Sequence, residues 1–239
     1  GEMPAGTAQN YLSYVNIALA NARLDKKCRV EGVREAGLPT RTGIAEHDKS
    51  ASIADHNHAI QNVSDRLASQ IQLQREIGLR FKESCLIDAK SALYQAIEHG
   101  KVTIEDGTKG GRPRELDITR DSQISALQRC ADIQKNDYSM IPTAQTWAQY
   151  QTNAYHQIAK TNIRFHQERH HYANERYLQM THCKSPVAAG VEHTKHVDHL
   201  ANKLQISKDE AKALDKEARL QIAKELGHSR VSISNNYLG

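Results

Sequence analysis

Strand-like alternation is confined to one stretch of this chain. Lys101-Val-Thr-Ile-Glu-Asp and Arg114-Glu-Leu-Asp-Ile-Thr flank the turn-rich Gly107-Thr-Lys-Gly-Gly-Arg-Pro, the pattern of a β-hairpin. Two strands cannot enclose a core, so the hairpin has to be buried against helices. Everywhere else the apolar period is helical. Ile53, Ile60, Val63, Leu67 and Ile71 predict a long helix towards Ile77, and a break at Gly78 separates it from a second helix through Ser84 to Ala96. Helices follow at Asp121 to Ile133, at Thr143 to Lys160 with Pro142 at its start, and at Glu168 to Met180. Ser207 and Glu210 form a capping-box pair ahead of Ala211, Leu214, Ala218 and Ile222, with Gly227 as the stop. The fold class expected is mainly α with a small antiparallel sheet.

The amino-terminal part differs in character. Gly1 to Gly6 reads as a flexible lead, and Thr7 can cap a helix carrying Tyr11, Val15, Ala18, Leu19 and Ala22. From Asp25 to Ser50 the chain is charged and broken by Gly32, Gly37, Pro39 and Gly43, which suits a linker. A domain boundary is therefore expected near residue 49, with residues 1–48 as helix and linker and 49–239 as the main domain. Aromatics are only 5% of the 239 residues, so the core must rest on Leu, Ile, Val and Ala. No apolar run reaches the length of a membrane span. Cys28, Cys85, Cys130 and Cys183 are scattered without a CxxC pair, which points to a reducing cytoplasm. The net charge of +4 is too small to identify a partner.

Four segments place polar residues where propensity does not ask for them: Gly78-Leu-Arg-Phe-Lys-Glu, Thr108-Lys-Gly-Gly-Arg-Pro-Arg, Phe165-His-Gln-Glu-Arg-His-His-Tyr-Ala, and Leu226-Gly-His-Ser followed by Tyr237. In this order they resemble the tyrosine recombinase (phage integrase) family over residues 78 to 239. The resemblance puts Arg80 in the first arginine position, Lys109 in the hairpin lysine position, His166 and Arg169 in the His-x-x-Arg pair, His228 in the second histidine position and Tyr237 in that of the nucleophile. Nine positions separate His228 from Tyr237, as expected for the family. The implied fold is a recombinase catalytic domain, similar to type IB topoisomerases. The implied activity is site-specific cutting and rejoining of duplex DNA through a 3′-phosphotyrosine, for integration or excision of a phage or mobile element.

The chemistry accounts for these residue types. A phenol oxygen can attack phosphorus and conserve the bond energy in a covalent intermediate. Guanidinium forks match the charge that grows on the non-bridging oxygens, and a lysine can protonate the departing sugar oxygen. Arg112, Arg114, Arg164 and Arg176 are expected to add DNA contacts on the same cleft. The cations carry the charge work, so no metal or other cofactor is expected. The expected partner is double-stranded DNA, bound by a tetramer on two sites with a free monomer allowed. Neither a membrane nor a small-molecule substrate is expected, and the compartment is the prokaryotic nucleoid-containing cytoplasm.

The family pattern is not matched everywhere. The interval from His166 to His228 is 62 residues, long for the family, so residues 182–206 read as an insertion. Glu168 stands where an apolar residue is commoner, which predicts a helix meeting the core at a shifted angle. The first helix resembles the last helix of a core-binding domain, so a shortened amino terminus is expected. Relatives also continue past the nucleophile into a docking helix. His193, His196 and His199 near Cys183 have the wrong spacing for a helical zinc pair. Glu83 can orient Arg80, and His170 and His171 either line the cleft or face water. Two other readings keep the fold: a DNA-binding accessory protein that does not cut, and a topoisomerase-like relaxing enzyme.

Overall fold

The computed structural model describes Met3–Gly239, and the chain separates into two compact units, one ending at Gly43 and the other running Ile44–Gly239. Gly1 and Glu2 of the expected flexible lead lie outside the described residues. In the first unit a helix, α1 (Ala5–Arg23), begins before Thr7, with Pro4 at its N-cap position. The charged segment after it folds back through Asn16 Nδ2 donating to the Val30 carbonyl (2.8 Å) and Gln9 Nε2 to that of Pro39 (2.6 Å). α1 buries none of its residues, and Tyr11, Tyr14, Val15 and Ile17 are exposed.

The second unit is helical around one hairpin. Its elements are α2 (Ile53–Gln61), α3 (Asp65–Ile77), α4 (Phe81–Leu86), α5 (Ala89–His99), β1 (Lys101–Ile104), β2 (Arg114–Asp117), α6 (Asp121–Gln134), α7 (Trp147–Ile158), α8 (Phe165–Thr181), α9 (Pro186–Ala189), α10 (His196–Leu204), α11 (Lys208–Glu225) and α12 (Asn235–Leu238). The strands pair antiparallel, with Lys101 opposite Asp117 and Ile104 opposite Arg114. Val102, Ile104 and Leu116 alternate into the core, where they meet Leu73, Ile77, Leu127 and Ile222. α3 packs on α6 and α8, and α5 on α6 and β1. A second apolar cluster joins Leu67, Ile71, Phe81, Ile158 and Phe165, and a third seats α10 on α11 through Leu200 and Ala211. No helix among the described residues is long and apolar enough to cross a membrane.

Two expected helices are divided. The helix predicted from Ile53 to Ile77 stops at Gln61, and Ser64 begins α3 with its N–H donating to Gln157 Oε1 (2.7 Å). The helix predicted over Ser84 to Ala96 breaks at Ile87, because the Asp88 carboxylate caps α5 by accepting from the Lys90 and Ser91 N–H groups. α7 starts at Trp147 behind a Thr146–Gln149 capping box, later than Pro142 suggested. Residues 182–206 form α9, a 3₁₀ turn and α10.

Gly78 ends α3 at φ +66°, and a Cβ there would sit 2.5 Å from the Tyr172 ring. Gly78→Ala is therefore expected to combine left-handed strain with displacement of a buried aromatic, costing at least ~2 kcal/mol. Thermal unfolding measures this, with Gly110→Ala, where a Cβ meets no atom within 4 Å, as the comparison for φ strain alone.

Candidate active site

The four polar segments converge. Arg80 occupies the N-cap position of α4, where Glu83 accepts from its backbone N–H (2.7 Å) and its Nη1 (2.6 Å). Arg80 Nη2 donates to the Leu226 carbonyl (3.2 Å), at the C-cap of α11. Arg169, on α8, is fully buried and donates to that same carbonyl and to the Gly78 carbonyl. Its Nε donates to the Tyr237 phenol oxygen (3.3 Å), and His228 Nε2 lies 3.4 Å from that oxygen. Since the phenol accepts from Arg169, its own hydrogen is free to point at His228, which fits the tautomer with Nε2 unprotonated. The rings of His170 and His166 lie 4.8 Å and 5.7 Å from that of Tyr237. Tyr237 itself is buried on the short α12, next to the core.

Glu83 is the keystone of this cluster. Fully buried, it accepts from both terminal nitrogens of Arg114 (2.9 and 2.7 Å) as well as from Arg80, and lies 3.8 Å from Arg169. Burial alone would raise its carboxyl, but the hydrogen bonds and charge of Arg114, with help from Arg80 and Arg169, hold it at about 2. Arg114 is thus buried on Glu83 and the Glu225 carbonyl, and Arg176 pairs with Glu225 at 3.0 Å. Both were expected on the DNA-facing cleft; the structure instead engages them with buried carboxylates. Glu225 also accepts from the Tyr172 hydroxyl (2.8 Å).

Other expected residues lie at the periphery. Lys109 and Arg112 are exposed in the turn between the strands, outside the hydrogen-bonded cluster. Gly107 lets that turn approach closely, since a Cβ there would be 3.0 Å from the Lys82 backbone of α4. Arg164 is exposed at the N-cap of α8 and His166 at its first turn. Glu168 is fully buried and accepts from Arg75 (2.7 Å) and pairs with His56 (2.9 Å), so a carboxylate in this position is an ion-pair anchor for α3 and α2. His196 is buried against the Tyr177 hydroxyl (2.8 Å), which also donates to Asp215 (2.6 Å), while His193 is exposed. Asp215 binds Arg219, whose Nη1 donates to Asn235 on α12 (2.9 Å).

The histidines share one electrostatic setting. Burial first, and then the charges of Arg169 and Arg80, lower His228 to about 4. His166, open to solvent on one side, is brought down by the covered part of its ring and then by the same two charges. Burial followed by His166 and Lys49 brings His170 to about 4, and burial with Arg75 does the same for His171. These groups take up protons more readily when unfolded, so stability falls as pH drops from about 6.5 towards 4. The carboxylates of Glu83 and Asp215, held near 2, add their loss only below about 4.5. A melting-temperature series should show two acid steps, and His228→Asn should shrink the upper one.

Residues 40–175 match the family model described as Integrase. No curated protein and no solved structure matches the chain.

Proposed function

Given that this chain belongs to the integrase family, we propose that it cuts and rejoins specific duplex DNA sites through a 3′-phosphotyrosine, moving a phage or other mobile element. The family supports a recombinase or integrase role and DNA as the partner. The observation that carries the finer reading is the meeting of one buried phenol with two guanidinium groups and three imidazoles, contributed by segments up to 157 positions apart.

In this mechanism the Tyr237 oxygen attacks the scissile phosphorus, forming the O–P bond as the P–O5′ bond breaks. The phenolic proton passes to neutral His228, the nearest acceptor, with His166, whose ring lies 5.7 Å from that of Tyr237, as a second imidazole to relay it. Lys109, carried on the hairpin turn, gives its proton to the departing 5′ oxygen. Arg80, one-fifth exposed, meets the non-bridging oxygens, and Arg169 holds the phenol from behind. Attack by a 5′-hydroxyl from another strand reverses the step. Arg112 and Arg164, both exposed, serve DNA phosphates, and four protomers bring two sites together. The burial of Tyr237 favours one second reading, a DNA-binding accessory protein that does not cut.

The test is a pool of nicked duplexes of randomised sequence, in which cleavage releases a short strand and traps the intermediate. A denaturation-resistant protein–DNA adduct, with the nucleotide mapped to the Tyr237 peptide, is the expected result. DNA binding without any adduct would overturn the cutting mechanism.

A further inference from the structure

The chain has two phenylalanines and one tryptophan; both phenylalanines line a recess with Arg80 and His166, and the tryptophan packs on Phe81 behind it. Phe81 and Phe165 stack with ring centroids 4.0 Å apart and an interplanar angle of 12°. Tyr155 meets both edge-on at 5.4 Å, and Trp147 lies 5.8 Å from Phe81. Their outer side forms a recess of about 230 Å³, with Arg80, His166 and Arg164 among its lining side chains and no carboxylate. Phe81 and Phe165 are almost covered, but Tyr155 remains 49% exposed.

We infer that this recess is a nucleobase subsite, taking the base of the nucleotide whose phosphate rests on Arg80 and His166. The inference rests on the proposed DNA chemistry for the position of that phosphate. Two adjacencies in the chain support it: Arg80 is followed by Phe81, and His166 is preceded by Phe165. The same two backbone positions thus supply a phosphate-facing cation or imidazole and an aromatic wall. A nucleotide anchored by its phosphate therefore carries its base towards the recess without leaving the site. The cationic, carboxylate-free rim fits a phosphate-bearing ligand, and the half-exposed Tyr155 ring offers aromatic surface on which any base can stack. Arg164 at the rim can lie over the outer face of the base.

Trp147, the sole tryptophan, reports on the recess through its emission. Thymidine 3′-phosphate and the abasic analogue 1,2-dideoxyribose 3-phosphate are titrated in parallel, with inorganic phosphate as the control for the anion alone. Stacking of one base is expected to make the thymidine compound bind at least about fivefold tighter than the abasic one. Tyr155→Phe should keep that ratio and Tyr155→Ala should reduce it to within about twofold; the half-exposed position leaves the core intact. Equal affinities in the parent, or a ratio unchanged by Tyr155→Ala, would overturn the subsite. A Tyr237 adduct alongside equal affinities would sink the subsite alone. Arg80→Ala should weaken all three ligands together; if it weakens none, the phosphate placement fails and the inference with it.

Discussion

Tyr237→Phe is expected to abolish the covalent adduct while leaving DNA affinity within about twofold of the parent. The substitution removes one oxygen whose hydrogen bonds are long, 3.3 Å to Arg169 and 3.4 Å to His228. The ring keeps its place among His166, His170 and the core. Loss of those two contacts costs on the order of 1 kcal/mol, well short of unfolding the domain. In the proposed mechanism, removing the Tyr237 oxygen closes the covalent route entirely, and deletions of a nucleophile lower rates on the order of 10⁶. Trapping and equilibrium binding on the same DNA pool separate the two effects. Adduct formation by the Phe variant would move the nucleophile to another residue.

Glu83→Ala is expected to be the most damaging single change to the fold of the site. It leaves Arg114 buried without its carboxylate and removes the anchor of Arg80 and the close neighbour of Arg169. Breaking a buried ion pair from one side costs roughly 3–5 kcal/mol, and for a domain of this size that lowers the melting temperature by about 10 °C. Cleavage measured well below that temperature should still fall by about 10² to 10³, because the guanidinium groups lose their fixed positions. Glu83→Gln should recover part of the stability by accepting from Arg114, and less of the rate. A variant with parental stability would show that the Arg114–Glu83 pair contributes nothing net.

Much of the fold was legible because local rules decided it. The hairpin follows from two alternating runs around a glycine-rich turn, and the structure shortens each strand by two residues from the predicted limits. The Ser207–Glu210 capping box starts α11 as its spacing predicts. Where an apolar period ran through a capping residue, it concealed a break. Ser64 and Asp88 both lie inside continuous patterns, and both start new helices. Of the candidate site, the tyrosine, the histidines and the two arginines beside it could be located by order along the chain. Of their partners, Glu83 beside Arg80 was legible three positions along, and the distant ones were not. Glu83 meets Arg114 across 31 positions, Glu168 meets Arg75 across 93, and Leu226 meets Arg80 across 146. No local signal marks such pairs, so the sequence placed Arg114 and Arg176 on the DNA side, whereas three-dimensional packing gives them to buried carboxylates.

The Leu226 carbonyl accepts from both Arg80 and Arg169. Each guanidinium therefore helps fix the orbital direction that the other uses, and withdrawing one frees a lone pair for its neighbour. In a double-mutant cycle the losses from Arg80→Ala and Arg169→Ala will not sum, and the coupling energy belongs to the pair. The two arginines behave as one electrostatic unit whose hinge is a main-chain oxygen, an atom that no side-chain substitution can delete.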